Sequence, residues 1–145
     1  MIIDVYKLKQ QGKTDEDLTM EYLPERPLID LPNAHIEGPV SVRVTVHLTG
    51  KNAYVEGTVN YTVAGECSRC LEDASVYVTE PFEAEYGVTS DFEYPVKSGT
   101  IDLTVPVEEA IIMSSPMVIY CREDCKGFCP TCGANLNETK CNCKN

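Results

Sequence analysis

The plainest signal along the chain is a two-residue alternation of apolar and polar positions over residues 40–63. In Val40-Ser-Val-Arg-Val-Thr-Val-His-Leu48, residues Val40, Val42, Val44, Val46 and Leu48 share one face, and Ser41, Arg43, Thr45 and His47 share the other. Successive strand side chains point to opposite sides, so this pattern predicts a half-buried strand. Thr49-Gly50-Lys51-Asn52 supplies turn chemistry, and a second alternation places Ala53, Val55, Val59, Tyr61 and Val63 inward. Together the two runs predict an antiparallel hairpin. A third apolar set, Val76, Val78, Phe82, Ala84 and Tyr86, returns beside them.

The flanks are less regular. Residues 2–8, rich in β-branched and aromatic side chains, predict a first strand, and the polar residues 9–17 a loop. Leu18, Met20 and Tyr22 alternate with polar residues as a short strand before Pro24. After a polar stretch at 87–99, Ile101-Asp-Leu103 suits a brief strand, and Thr104 to Pro116 is the one convincing helix, centred on 105–115. Pro106 fits its first turn, Glu108 and Glu109 complement the positive end of the helix dipole, and Pro116 stops it. Val107, Ala110, Ile111 and Ser114 share a face that would meet the sheet. The expected fold is α+β: an antiparallel β-meander or partly open barrel packed with one main helix. It divides into an acidic body over residues 1–120 and a cysteine-rich tail over residues 121–145.

Charge narrows the function classes. The formal net charge is -11, from 23 acids and 12 bases. It is uneven: residues 1–120 hold 20 acids and 8 bases, and residues 121–145 are close to neutral. A nucleic-acid binder of the usual basic kind is excluded, whereas a basic protein partner fits. With no basic segment leading into an apolar one at the start, and no apolar run long enough to span a bilayer, the chain is expected to be soluble and cytoplasmic.

The eight cysteines change the picture most. Cys67 and Cys70 form a C-x2-C at the turn between two predicted strands, and the tail reads C-x3-C-x3-C-x2-C-x8-C-x-C. In a reducing compartment such spacings favour metal thiolates over disulfides. Cys129-Pro-Thr-Cys132-Gly133 is a knuckle whose backbone N–H groups can point at sulfur, and Cys141 and Cys143 fall on one face of an extended segment. Counting ligands predicts two sites: Cys67, Cys70, Cys121 and Cys125 in the first, and Cys129, Cys132, Cys141 and Cys143 in the second. The second makes the tail a zinc knuckle. Two other partitions stay open. One is a binuclear cluster of the six tail thiols; the other joins Cys121, Cys125, Cys129 and Cys132. Two zinc ions are expected, with iron also compatible with four thiolates. Four-thiolate sites leave no open position for water, which favours a structural role and no catalytic residue.

Enzymatic readings find little support. His35-Ile-Glu37 matches half of the zinc deaminase signature, but neither C-x2-C is preceded by proline and no helical pattern surrounds His35. Thiol oxidoreductase sites open a helix in a βαβ setting, unlike these turns.

Glu66-Cys-Ser-Arg-Cys-Leu71, Ile101-Asp-Leu103 with Val107-Glu-Glu-Ala-Ile-Ile112, and Cys121-Arg-Glu-Asp-Cys-Lys-Gly-Phe-Cys-Pro-Thr-Cys-Gly-Ala-Asn-Leu-Asn137 with its closing Cys-x-Cys together resemble one family. It is the YceD-type large ribosomal RNA subunit accumulation proteins, in the form with a cysteine-rich tail. The resemblance implies a bacterial or organelle-type protein needed for synthesis, processing or stability of 23S ribosomal RNA. Its partner would be ribosomal RNA or a basic ribosomal protein, with Arg69, Arg122, Lys126, Lys140 and Lys144 as candidate contacts. A zinc-stabilised protein-interaction module without RNA contact is the alternative, and a thiol oxidoreductase the third reading.

Overall fold

A computed structural model describes residues 1–141 and 143. Its centre is a five-stranded open sheet in the order β2 (Asp15–Tyr22), β3 (His35–Thr49), β4 (Asn52–Glu66), β5 (Asp73–Gly87) and β6 (Tyr94–Pro95). The first four strands form an antiparallel meander, and β6 joins β5 in parallel. A two-stranded sheet pairs β1 (Ile2–Asp4) with β7 (Thr100–Asp102), and the helices are α1 (Val5–Gln10) and α2 (Thr104–Ser114). Among the described residues no helix is long and apolar enough to cross a membrane.

The alternation does what its period requires. Val40, Val42, Val44 and Val46 on β3, and Ala53, Val55, Val59, Tyr61 and Val63 on β4, all point into the core. Of the third apolar set, Ala84 and Tyr86 are buried and Val76, Val78 and Phe82 half-buried. Val107, Ala110 and Ile111 of α2 close the core against β4 and β5. The buried Tyr61 hydroxyl donates to the Ile111 carbonyl at 3.3 Å and meets Ser114 Oγ at 2.8 Å, fixing the helix on the strand. Among the described residues the opposite sheet face carries no helix. Cross-strand rows there bring together exposed Asp15, Asp17, Glu56, Glu83 and Glu85.

Three expectations need correction. Residues 2–8 are not one strand: only Ile2–Asp4 is extended, and the Asp4 carboxylate accepts from the Lys7 N–H at 2.9 Å to start α1. That cap outweighs the strand preference of Val5 and Tyr6. Residues 9–17 are therefore not all loop, since α1 runs to Gln10 and β2 starts at Asp15. Finally, α2 begins at Thr104, so Glu108 and Glu109 lie beyond its first turn and do not serve the dipole there. They reach sideways instead. Glu108 accepts from the Tyr22 hydroxyl of β2 and from Arg26, and Glu109 accepts from the Tyr94 hydroxyl of β6. Adjacent carboxylates thus hold the helix to both outer strands of the sheet.

Candidate metal centre

Cys67 and Cys70 sit in the six-residue turn that joins β4 to β5. The turn closes on itself, with Cys67 N–H donating to the Glu72 carbonyl at 2.7 Å and Leu71 N–H to the Cys67 carbonyl at 2.9 Å. It is also clamped to the segment after α2. Ser68 N–H donates to the Ile119 carbonyl at 2.7 Å, and Ile119 N–H returns a bond to Ser68 Oγ at 3.2 Å. This two-way link delivers Cys121 and Cys125 to the turn. Cys67 and Cys125 sulfurs stand 3.6 Å apart, as do those of Cys70 and Cys121, and all four lie within 4.8 Å of one another.

The second group is Cys129, Cys132, Cys141 and Cys143, whose sulfurs also lie within 4.8 Å of one another. Cys129 N–H donates to the Ala134 carbonyl at 2.9 Å and Gly133 N–H to the Cys129 carbonyl at 2.8 Å, which closes the knuckle. A tetrahedral site with metal–sulfur bonds of about 2.3 Å places sulfurs roughly 3.8 Å apart. The 3.6 Å pairs of the first group match that spacing, and each group could hold a metal ion. Neither is disulfide-bonded.

The electrostatics favour partial ionisation. N–H groups of Cys132 and Thr131 point at Cys129 sulfur and, against the cost of burial, bring its thiol down to about 6. At Cys67 burial opposes the charge, but N–H groups of Cys70, Cys121 and Arg69 outweigh it and again give about 6. Asn137, donating from Nδ2 at 3.4 Å, lowers Cys125. Cys121 and Cys143 are held up: burial and the neighbouring sulfurs push Cys121 to about 12, and the Cys132 sulfur, burial and Cys129 do the same to Cys143. One or two thiolates form readily in each group, and a divalent cation would supply the charge that lets the others follow.

Comparison with known proteins adds the lineage. The family described as large ribosomal RNA subunit accumulation protein YceD matches residues 55–145. The chain belongs to the YceD family. An uncharacterized protein of Mycobacterium tuberculosis is 29% identical over 146 residues, which is 94% of this chain and 70% of that protein. A Mycobacterium leprae protein is 31% identical over 68% of this chain and 49% of its own length. A chloroplastic YCED homolog 1 of Zea mays, named a large ribosomal RNA subunit accumulation protein, is 38% identical over 35% of this chain and 18% of its own. No solved structure matches.

In this YceD-family chain the matched region contains all eight cysteines. The candidate contact residues fare differently. Arg69 is exposed but engaged within the chain: its guanidinium lies 4.3 Å over the Tyr120 ring and donates to the Cys125 carbonyl at 3.0 Å. Arg122 is exposed beside Asp124 at 3.7 Å. Lys126 and Lys140 are exposed, and Lys144 lies outside the described residues.

Asn137 is the residue that sequence reasoning left without a role. Its side chain accepts from Lys126 N–H at 2.8 Å and donates to Cys125 sulfur, while its own N–H is held by Asn135. Leu136 N–H also donates to the Gly127 carbonyl at 2.9 Å, so the loop of the second group buttresses the first. Gly127, at φ 78°, approaches the Arg69 carbonyl so closely that a Cβ would stand 3.1 Å from it. The Asn-Leu-Asn spelling after the knuckle was the available signal; its partners lie too far along the chain to be read from spacing.

Proposed function

We propose that this chain is a non-catalytic factor supporting accumulation of 23S ribosomal RNA during large-subunit assembly. Two structural zinc ions would fill its thiolate groups. The observation that carries the reading is the convergence of four sulfurs at the end of the sheet, from the β4–β5 turn and from the segment after α2, within a region that matches the YceD family. A site built from three buried thiols and the exposed Cys121, with its turn and its tail bonded to each other, suits holding two segments together. The chloroplast relatives, whose names refer to large ribosomal RNA subunit accumulation, supply the biological direction.

The acidic outer face of the sheet also favours a basic ribosomal protein as a partner in the same process. Iron remains the alternative metal, and colour separates the two: a zinc protein is colourless. The role is tested by depleting the protein in the bacterium that carries it and measuring 23S against 16S ribosomal RNA. A selective fall in 23S is expected, and unchanged 23S would overturn the role. Metal analysis of purified protein is expected to give about two zinc ions per chain.

A further inference from the structure

The charge of this molecule is segregated in a way its total conceals. Residues 1–120 contain five lysines, Lys7, Lys9, Lys13, Lys51 and Lys97. All five are carried by α1 and by turns that meet at the end of the sheet remote in sequence from the cysteine tail. Tyr6 N–H donates to the Gly99 carbonyl at 3.1 Å, joining α1 to the turn that Lys97 and Thr100 close with two 2.9 Å bonds. Leu48 N–H donates to the Thr14 carbonyl, bringing the α1–β2 turn to the end of β3 beside the Gly50-Lys51 turn. The three arginines of the same span lie elsewhere, with Arg26 on Glu108, Arg69 on Tyr120 and Arg43 on the open sheet face.

Between these elements lies a groove of about 400 Å³. Its walls include Val5, Val88, Val96 and the Tyr6 side chain, with Lys9 and Lys51 at the edge. Tyr6 is 62% and Val88 56% exposed, which is much apolar surface to leave in water. Lys13 is paired with Glu16 at 2.9 Å, but among the described residues the Lys9, Lys51 and Lys97 ammonium groups have no ionic partner. The negative end of α1 accounts for Lys7 and Lys9. It does not account for Lys51, which lines the groove from a separate turn, or for Lys97, which follows and precedes the lining residues Val96 and Ser98.

We propose that this lysine-rimmed groove binds single-stranded RNA, seating one base against Tyr6 and the valine floor with flanking phosphates on Lys9, Lys51 and Lys97. The groove is short and apolar, with an exposed ring, and so suits one flat aromatic group. Cations spaced around that group suit an anionic backbone entering and leaving it. Screening over about 8 Å at physiological salt lets the local positive rim act despite the acidic sheet face. The inference rests on the ribosomal role proposed above, and it moves RNA contact from the cysteine tail to the opposite end of the sheet.

The test uses the zinc-loaded full chain and a fluorescent single-stranded RNA of mixed sequence, read by anisotropy. With about three phosphate contacts, affinity should fall roughly 10–20-fold between 50 and 200 mM salt. Lys51→Glu should weaken binding about tenfold or more, whereas Arg43→Glu, the same change of charge on the open sheet face, should barely alter it. Tyr6→Ala should weaken binding at unchanged salt slope. Should that variant unfold, Lys51→Glu in its exposed turn still decides the matter. No binding by the wild-type chain at 50 mM salt, equal effects of Lys51→Glu and Arg43→Glu, or binding of polyglutamate in place of RNA would each overturn the groove.

Cellular complementation separates this claim from the role. If depletion lowers 23S and Lys51→Glu restores it fully, the groove fails and the role stands. If depletion leaves 23S unchanged while Lys51 still controls RNA binding, the role fails and the groove stands.

Discussion

Glu108 shows how one side chain can be misjudged from its neighbours in sequence. A glutamate early in a helix suggests dipole compensation, yet its physical role is to accept from Tyr22 and Arg26 across the core edge. The Tyr22 hydroxyl is the main cause holding its carboxyl below the ordinary range, against partial burial, with Arg26 assisting. Because the folded value is depressed, the stabilisation is present above the unfolded carboxyl value near 4.5 and is lost as pH falls through the folded value. Glu108→Gln should lower stability at pH 7 by about 1 kcal/mol, the charge-assisted bond being discounted for the exposed Arg26. It should also flatten the acid limb of the melting curve below pH 4.5. His47 runs the opposite way. Glu56 and Asp15 flank it on the open face and raise its value above 6.5. Its contribution is whole below pH 6.5 and disappears as pH rises through the raised value. Proton NMR should show His47 titrating above 6.5, and Asp15→Asn should move that midpoint down. A midpoint indifferent to Asp15 would contradict the pairing.

At the scale of elements, β3 and β4 were legible because their two faces meet different media, so alternation along the chain mirrors burial across the sheet. The Val40–Val46 and Ala53–Val63 registers follow directly from that. The segment 5–10 was not legible, since a single side-chain cap at Asp4 decides its conformation against local strand preference. The parallel β5–β6 pair was also hidden, because a two-residue strand has no period to read. One interruption of the β4 pattern has a packing cause. At Gly57 an added Cβ would stand 2.0 Å from the Arg43 carbonyl oxygen and 2.8 Å from Val44 Cγ1. Gly57→Ala must therefore move backbone on the neighbouring strand, and we expect a loss of roughly 3 kcal/mol or more in chemical denaturation. Tyr61→Phe removes only the hydroxyl bonds to α2 and should cost about 1 kcal/mol with the fold retained.

For the whole molecule, ligand counting found the grouping that the geometry displays, because six tail thiols leave two over once the knuckle and the closing Cys-x-Cys are satisfied. The supports for that grouping were not countable. Ser68, Arg69 and Asn137 act through bonds to backbone or sulfur that chain spacing does not encode. Cys67→Ser should lower metal content by about one ion per chain and leave the other in place, measured by mass spectrometry on purified protein. Loss of neither would exclude Cys67 as a ligand. Cys132→Ser should remove the other ion while the sheet stays folded by circular dichroism. Asn137→Ala should loosen the first site without deleting a ligand, seen as faster metal transfer to a chromogenic chelator.

The clamp between the β4–β5 turn and the segment after α2 also sets a timetable. Cys67 meets Cys125, its sulfur neighbour, 58 residues later in the chain. At about 5–20 residues per second, a ribosome needs roughly 3–12 s to make that stretch. Throughout that interval the nascent chain carries an exposed half-site of two thiols, open to oxidation or to capture of a stray ion. Synthesis speed and thiol protection therefore bear on the yield of correctly metallated protein. Slowing translation between the two cysteines under oxidative stress should lower that yield more than slowing it before Cys67.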